Sequence, residues 1–436
     1  MVMENRYDKY KDSDIAWIGE IPEHWEVRRL KHLGKNYNGL TYSPNDICGS
    51  EDGILVLRSS NIKDNKLCFD DNVYVKKEIP QKLIVNKGDI LICSRNGSAE
   101  LIGKAAFIEL QMVATFGAFM MIFKGTSNIY HKYLFYIITS CISQYKWLFT
   151  TATINQLTSS MLGEIFAPFI NNYLEQKSIA TYLDQKCSEI DELITLQEEM
   201  ITKLQSYKQS VITEAVTKGL DKNVPLKDSG IEWIGEIPEH WSKNKIIRLF
   251  SIIGSGTTPK SSKEDNYNGS INWIQSGDIN GSYIENCKNS ISNTALKEYP
   301  TLKIYKAPFI IVAMYGASVG NISISNIDGC VNQACCVMNE TKQNFKYLFY
   351  AMNSVKRYLI YRAEGGGQPN ISQDKIKNTW LPIPPLPEQQ SIANYLDQKC
   401  SEIDELISIK QQKIEKLKDY KKSLIFECVT GKRKVS

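Results

Sequence analysis

EQKSIATYLDQKCSEIDELI occupies residues 175–194, and EQQSIANYLDQKCSEIDELI occupies residues 388–407. Eighteen of the twenty positions agree. A second stretch is doubled too: KDSDIAWIGEIPEHW (11–25) returns as KDSGIEWIGEIPEHW (227–241), with thirteen of fifteen positions identical. The offsets are 213 and 216 residues, so the chain reads as a tandem of two nearly equal halves. Between the repeated pieces lie regions 26–174 and 242–387, which have drifted far apart. They keep faint echoes, LVLRSSNI (55–62) against NWIQSGDI (272–279) and GDILICSRNGS (88–98) against APFIIVAMYGAS (307–318). One fold is expected beneath both. A constant framework carrying two variable inserts suits a binding module with two specificities. Recent duplication with neutral drift is the plainer explanation, but drift alone should not spare the framework so sharply.

The repeated segment has helical periodicity. Leu183, Ile190, Gln197, Leu204 and Val211 form one heptad column, and Leu396, Ile403, Lys410, Leu417 and Leu424 repeat it. Ile194, Ile201 and Ala215 flank the first column, as do Leu193, Met200 and Tyr207; Ile407, Ile414, Leu406 and Tyr420 flank the second. Together they predict a wide apolar stripe. No Pro or Gly interrupts the run after Glu175 or Glu388 until Gly219 and Gly431, where a C-terminal cap belongs. Asn172 with Glu175, and Pro387, are start signals. About 42 residues at 1.5 Å each give a helix of about 60 Å, whose stripe must be covered by a partner. The other copy is the natural one. A domain of about 150 residues has a radius near 15 Å and cannot easily span such a rod, so its entry and exit must lie close together. Antiparallel pairing achieves that.

The expected fold class is therefore α+β: two globular domains joined by two long antiparallel coiled-coil helices, with internal pseudo-two-fold symmetry. The expected boundaries are a first variable domain at 1–174 with its cap at 1–25, a helix at 175–219, a second domain at 220–387 with its cap at 227–241, and a helix at 388–431. The residues expected to pack the helix pair are Leu183, Ile190, Ile194, Ile201, Leu204, Val211, Leu396, Ile403, Ile407, Ile414, Leu417 and Leu424. Gln197, Lys410, Lys186 and Lys399 either set the register or form a solvated rim. Asp191, Glu192, Asp404 and Glu405 are read as lying opposite the stripe, on a solvated or partner-binding face.

The net charge of +4 says little, but its distribution is informative. Lys and Arg exceed Asp and Glu by four in 26–174 and by seven in 242–387, and the remainder sums to −7. Basic variable domains on an acidic framework suit a polyanionic partner. These domains are also rich in Asn, Gln, Ser, Gly and Tyr, which supply contacts to phosphates and base edges. Arg58, Ser59, Ser60 and Asn61 follow one echoed strand, matched by Gln275, Ser276 and Asp278. Ser94, Arg95 and Asn96 follow the other, matched by Tyr315, Ser318 and Asn321. Gln368 and Asn370 lie in GGGQPN, read from its composition as a polar loop that wraps a backbone phosphate or simply turns. These are the candidate DNA-binding residues. An ordinary polar loop explains any one of them; the set carries the argument.

Catalytic motifs are missing. There is no phosphate-binding G-x-x-x-x-G-K-[ST] loop, no His-Glu-x-x-His and no G-x-S-x-G. His24 and His240 sit in the repeated EHW without a second ligand at metal spacing and are read as packing residues. No metal site and no catalytic residues are expected. The eleven Cys are scattered, with no Cys-x-x-Cys, and fit a reducing cytoplasm. Adjacent Cys335 and Cys336 are read as small buried hydrophobes. No apolar run reaches the length of a membrane span.

The doubled WIGEIPEHW and the EQ-x-SIA-x-YLDQK entry to a long helix resemble the specificity subunit of Type I restriction–modification systems, over essentially the whole chain. The resemblance implies that each variable region is a target recognition domain reading one half of a split sequence in double-stranded DNA. It also implies that the repeated helices act as a spacer and dock two copies of a modification subunit, a DNA methyltransferase. S-adenosylmethionine, ATP and Mg would then belong to partner subunits, including restriction/translocase subunits, and none to this chain. A protein–protein adaptor without a DNA role, and an enzyme with an unfamiliar site, are the competing readings.

Overall fold

The computed structural model describes residues 6–149, 155–363 and 370–435. The chain folds into two compact units. One combines residues 1–197 with 412–436, and the other is 198–411. A linear division at the helix ends is therefore not how the chain compacts. Two long helices, Tyr173–Lys218 and Leu386–Val429, each contribute one stretch to one unit and the remainder to the other.

In the first unit, a four-stranded antiparallel sheet runs in the order Ala105–Phe107, Ile90–Cys93, Met120–Gly125, Gly34–Asn38. Its two central strands are apolar and buried over Ile90–Cys93 and residues 120–123, because both faces are covered there. Ile90, Ile92, Met121 and Phe123 turn toward the helix His131–Tyr145 and the long helices, whereas Leu91, Cys93, Met120 and Ile122 turn into a second core. That second core lies under a smaller sheet in which Ala114–Phe116 runs parallel to Ile54–Leu57.

The second unit repeats the plan. Phe309–Ala313 sits between Ile322–Ser325 and Cys335–Asn339, again buried on both faces. Ile310, Val312, Cys336 and Met338 point to one core, and Phe309, Ile311, Cys335 and Val337 to the other. This alternation explains the adjacent cysteines: they occupy opposite faces of one strand. Burial pushes both thiols up, Cys336 to about 12.

Within the first unit, Leu183, Cys187 and Ile190 of the first long helix share a core with Leu424, Cys428 and Val429 of the second, and half-buried Ile194 and Leu417 pack against it. Within the second unit, Val211, Ile212 and Ala215 share a core with Ile392, Leu396 and Cys400. Ile403 and Ile414 are also buried, and Ile201, Leu204 and Ile407 are half-buried. The apolar stripe is narrower than its sequence pattern. Leu193, Tyr207, Leu406 and Tyr420 are 44%, 57%, 46% and 51% exposed. A contact with a single neighbouring helix covers a narrow seam, and residues one step around the cylinder stay outside it.

Candidate nucleic-acid interface

The candidate loops follow from strand ends. In the first unit the strand Ile54–Leu57 ends in a single 3-10 turn, Ser59–Asn61. Asn61 closes it: Oδ1 accepts from the Arg58 backbone N–H at 2.9 Å, and Nδ2 donates to the Cys68 carbonyl at 2.9 Å. Asn61 is fully buried, so it shapes the loop and is not available to a base edge; this corrects its assignment as a reading residue. Ser94 is corrected in the same way. It is buried, and its backbone joins Phe119 and Leu157. Ser60 and Arg95 are exposed, and Ser59, Asn96 and Arg58 are half-buried. The structure brings the two predicted loops together, with Asn96 Nδ2 donating to Ser59 Oγ at 3.2 Å. Arg58 is already engaged by Asp71, at 2.7 Å.

The second unit builds the same turn from different residues. Asp278 Oδ2 accepts from the Gln275 N–H at 2.8 Å, so Asp278 takes the structural part that Asn61 has in the first unit. Asn289 Nδ2 donates to Gln275 Oε1 at 3.2 Å, which orients the Gln275 amide. Asn321 is likewise held from two sides: its Nδ2 donates to the Ile279 carbonyl and its Oδ1 accepts from Lys356 at 2.7 Å. Burial holds the Lys356 amine below its usual range. Gln275, Ser276, Tyr315 and Ser318 are half-buried and Asn370 is exposed. Tyr315 and Asn370 form a β-bridge, the counterpart of Arg95 and Gln156 in the first unit. Gln368 lies outside the described residues.

Three contacts tie each variable domain to the framework, and each occurs in both units. The first explains why two separate motifs repeat together. Glu175, at the head of the first long helix, accepts from Tyr7 Oη at 2.8 Å and Trp25 Nε1 at 3.1 Å, with His24 Nε2 at 3.1 Å. Glu388 takes His240 at 2.7 Å and Trp241 at 2.9 Å. The histidines, expected to pack, serve instead in a polar clamp. Each cap also receives the end of the other long helix. Gly431 (φ +73°) lies against Pro22 and Trp25, and Gly219 (φ +77°) against Trp241. A Cβ at Gly431 would stand 2.3 Å from Pro22 Cδ, so both conformation and space require glycine there.

The second contact is a buried glutamine. Gln176 accepts from the Tyr130 N–H at 2.6 Å and donates to the Ile170 carbonyl at 2.7 Å, and Gln389 does the same for Asn344 and Pro384. The third is Tyr136 donating to Asp184 at 2.6 Å, matched by Tyr350 and Asp397 at 2.7 Å.

Between the long helices, Lys421 meets Asp191 at 2.6 Å in the first unit, and Lys208 meets Asp404 at 2.7 Å in the second. Asp191 and Asp404 are therefore not on a face opposite the seam; they flank it. Lys186 and Lys399, read as register-setting or as solvated rim, pair within their own helices with Glu189 and Glu402, as rim residues do. The sequence signal for the true pairs was the repeat itself, which carries both partners in both copies. Among the described residues there is no cluster of metal-ligating side chains, and no helix is long and apolar enough to cross a membrane.

The chain matches the model of the Type I restriction modification DNA specificity domain twice, over residues 22–205 and 238–419. It belongs to that family. Each match begins inside a cap and ends within a long helix. A Methanocaldococcus jannaschii chain named for the type I restriction enzyme MjaX specificity subunit is 29% identical over 450 residues, covering all of both chains. The type I restriction enzyme EcoKI specificity subunit of Escherichia coli K12 is 21% identical over 431 residues, covering 95% of this chain and 90% of that one. A solved chain from a study of complex assembly and conformational transition in the type I R-M system superposes with a TM-score of 0.68. The superposition covers 94% of this chain and 98% of that one at 14% identity, a likeness of fold. In this specificity-domain family member, then, two DNA specificity domains of mixed helix and strand content lie in one chain.

Proposed function

We propose that the chain sets the DNA target of a Type I restriction–modification complex, each variable domain reading one half of a bipartite double-stranded sequence. The observation that carries this is the double family match. It is supported by the way equivalent loops present different side chains: Arg58 where the second domain has Gln275, and Arg95 where it has Tyr315. Arg suits guanine and Gln suits adenine in the major groove. Ser59, Ser60, Asn96, Ser276, Ser318 and Asn370 complete the proposed contact set. The same membership weighs against an adaptor without a DNA role.

The chain supplies no catalysis in this reading. Two copies of a methyltransferase subunit would bring S-adenosylmethionine, and restriction/translocase subunits would bring ATP and Mg. The exposed Leu193, Leu196 and Tyr420 of one unit, and Leu406, Ile409 and Tyr207 of the other, are apolar surface suited to docking such partners. The helices would fix the distance between half-sites.

Single-molecule mapping of methylated adenine, in the host with and without this gene, tests the reading. A bipartite motif that disappears with the gene is the expected result; an unchanged methylation map would refute it. In the purified complex, Arg95→Ala should weaken target binding about 5- to 100-fold and relax selectivity in one half-site only.

A further inference from the structure

We propose that Phe119 is a base-stacking wedge, which opens a base step in the half-site bound by the first variable domain. This rests on the DNA-reading function above. Phe119 is 60% exposed at the turn between the strands Ala114–Phe116 and Met120–Gly125, beside the candidate loop Ser94–Asn96. Its position is rigid. The Phe119 carbonyl accepts from the backbone N–H groups of both Ser94 and Arg95, at 3.0 and 3.1 Å. The ring thus stands at the meeting point of three chain segments: its own turn, the Ser94–Asn96 loop, and through Asn96 and Ser59 the turn after the strand Ile54–Leu57. The Arg95 guanidinium lies 5.6 Å from the ring centroid. A cation beside an exposed aromatic, on a basic domain, suits nucleic acid: the cation meets phosphate or a base edge and the ring meets a base face.

A phenyl ring has no hydrogen-bonding group, so it cannot read the donor and acceptor pattern of a groove. Its gain on DNA comes from stacking, and apolar side chains that stack into a duplex do so by parting a base step. At the equivalent position the second domain carries no such ring. Its matching backbone contact, Met314 N–H to the residue 334 carbonyl, comes from Ala334, which is buried and too small to stack. The two half-sites are therefore treated unequally: the first is deformed, and the second is not.

The test uses the assembled complex and a duplex carrying the motif found by methylation mapping, with 2-aminopurine placed in turn through each half-site at the steps away from the methylated adenines, which a methyltransferase would itself turn out of the stack. The wild-type complex should raise 2-aminopurine emission at one step of the first half-site and at none of the second. Phe119→Ala should abolish the rise and weaken binding about tenfold, and Phe119→Trp should keep both. Phe119→Leu, which keeps apolar bulk without a π face, should keep part of the emission rise and bind more weakly than wild type. Wild-type emission that stays flat throughout, or Phe119→Ala binding at wild-type strength, would overturn the wedge while leaving sequence reading intact. Loss of subunit assembly in Phe119→Ala, with DNA affinity of the remaining complex unchanged, would reassign the ring to a protein interface. An effect reproduced by replacing one thymine with uracil would reduce it to a methyl contact. A wild-type complex indifferent to both half-sites would remove the functional reading and the wedge together.

Discussion

Asn61 and Ser60 are neighbours in the chain, yet one side chain is enclosed in the first variable domain and the other faces solvent. The difference predicts opposite phenotypes. Asn61→Ala leaves the Arg58 N–H and the Cys68 carbonyl without their partner and should cost about 2–3 kcal/mol, seen as a melting temperature lower by several degrees. Ser60→Ala should leave stability within about 0.5 kcal/mol of wild type. Equal melting temperatures for the two variants would contradict the scaffold role of Asn61. Composition alone could not separate them, because Asn and Ser serve equally as readers and as turn formers. The discriminating fact, that Asn61 is ringed by carbonyls from residues seven to ten positions away, is a product of folding.

The elements show why the repeats come as a pair. The EHW of each cap grips the Glu that opens the following long helix, so a change in either motif breaks the same joint. Glu175→Ala removes the acceptor of Tyr7, His24 and Trp25 together. A loss of about 1–3 kcal/mol is expected by chemical denaturation, with Glu175→Gln losing less because it keeps one acceptor oxygen. Between the long helices, a double-mutant cycle on Asp191 and Lys421 should return a coupling near 1 kcal/mol that shrinks in high salt. Zero coupling would deny this pair any part in setting the helix register. The helices themselves were legible in sequence, since their period and capping glycines are local properties. The width of the buried stripe was not. Leu193 and Leu406 have the right spacing and type, but whether a third body covers them depends on what stands beside the helix.

At the scale of the whole molecule, the proposal makes the long helices a measuring device. They run for 46 and 44 residues. Removing seven residues from each, in register, shortens each by about 10 Å. The gap between the two halves of the methylated motif should then contract by about three base pairs, at 3.4 Å each. A mutant complex that methylates the original motif would show that the helices do not set the spacing.

Some of this protein was decided by sequence alone. The duplication, the extent and ends of the helices, the near-continuous apolar strands and the basic character of the inserts all follow from neighbours along the chain. Tertiary structure decided what depends on neighbours in space. It split each helix between two compact units, matched Asp191 to Lys421, and turned two histidines expected to pack into helix clamps. It also sorted a row of similar polar loop residues into those that hold the loop and those left facing outward. Periodicity and capping act over a few residues and leave a trace in sequence. Burial and long-range pairing act across 150 residues or more, and only the folded chain brings those partners within reach.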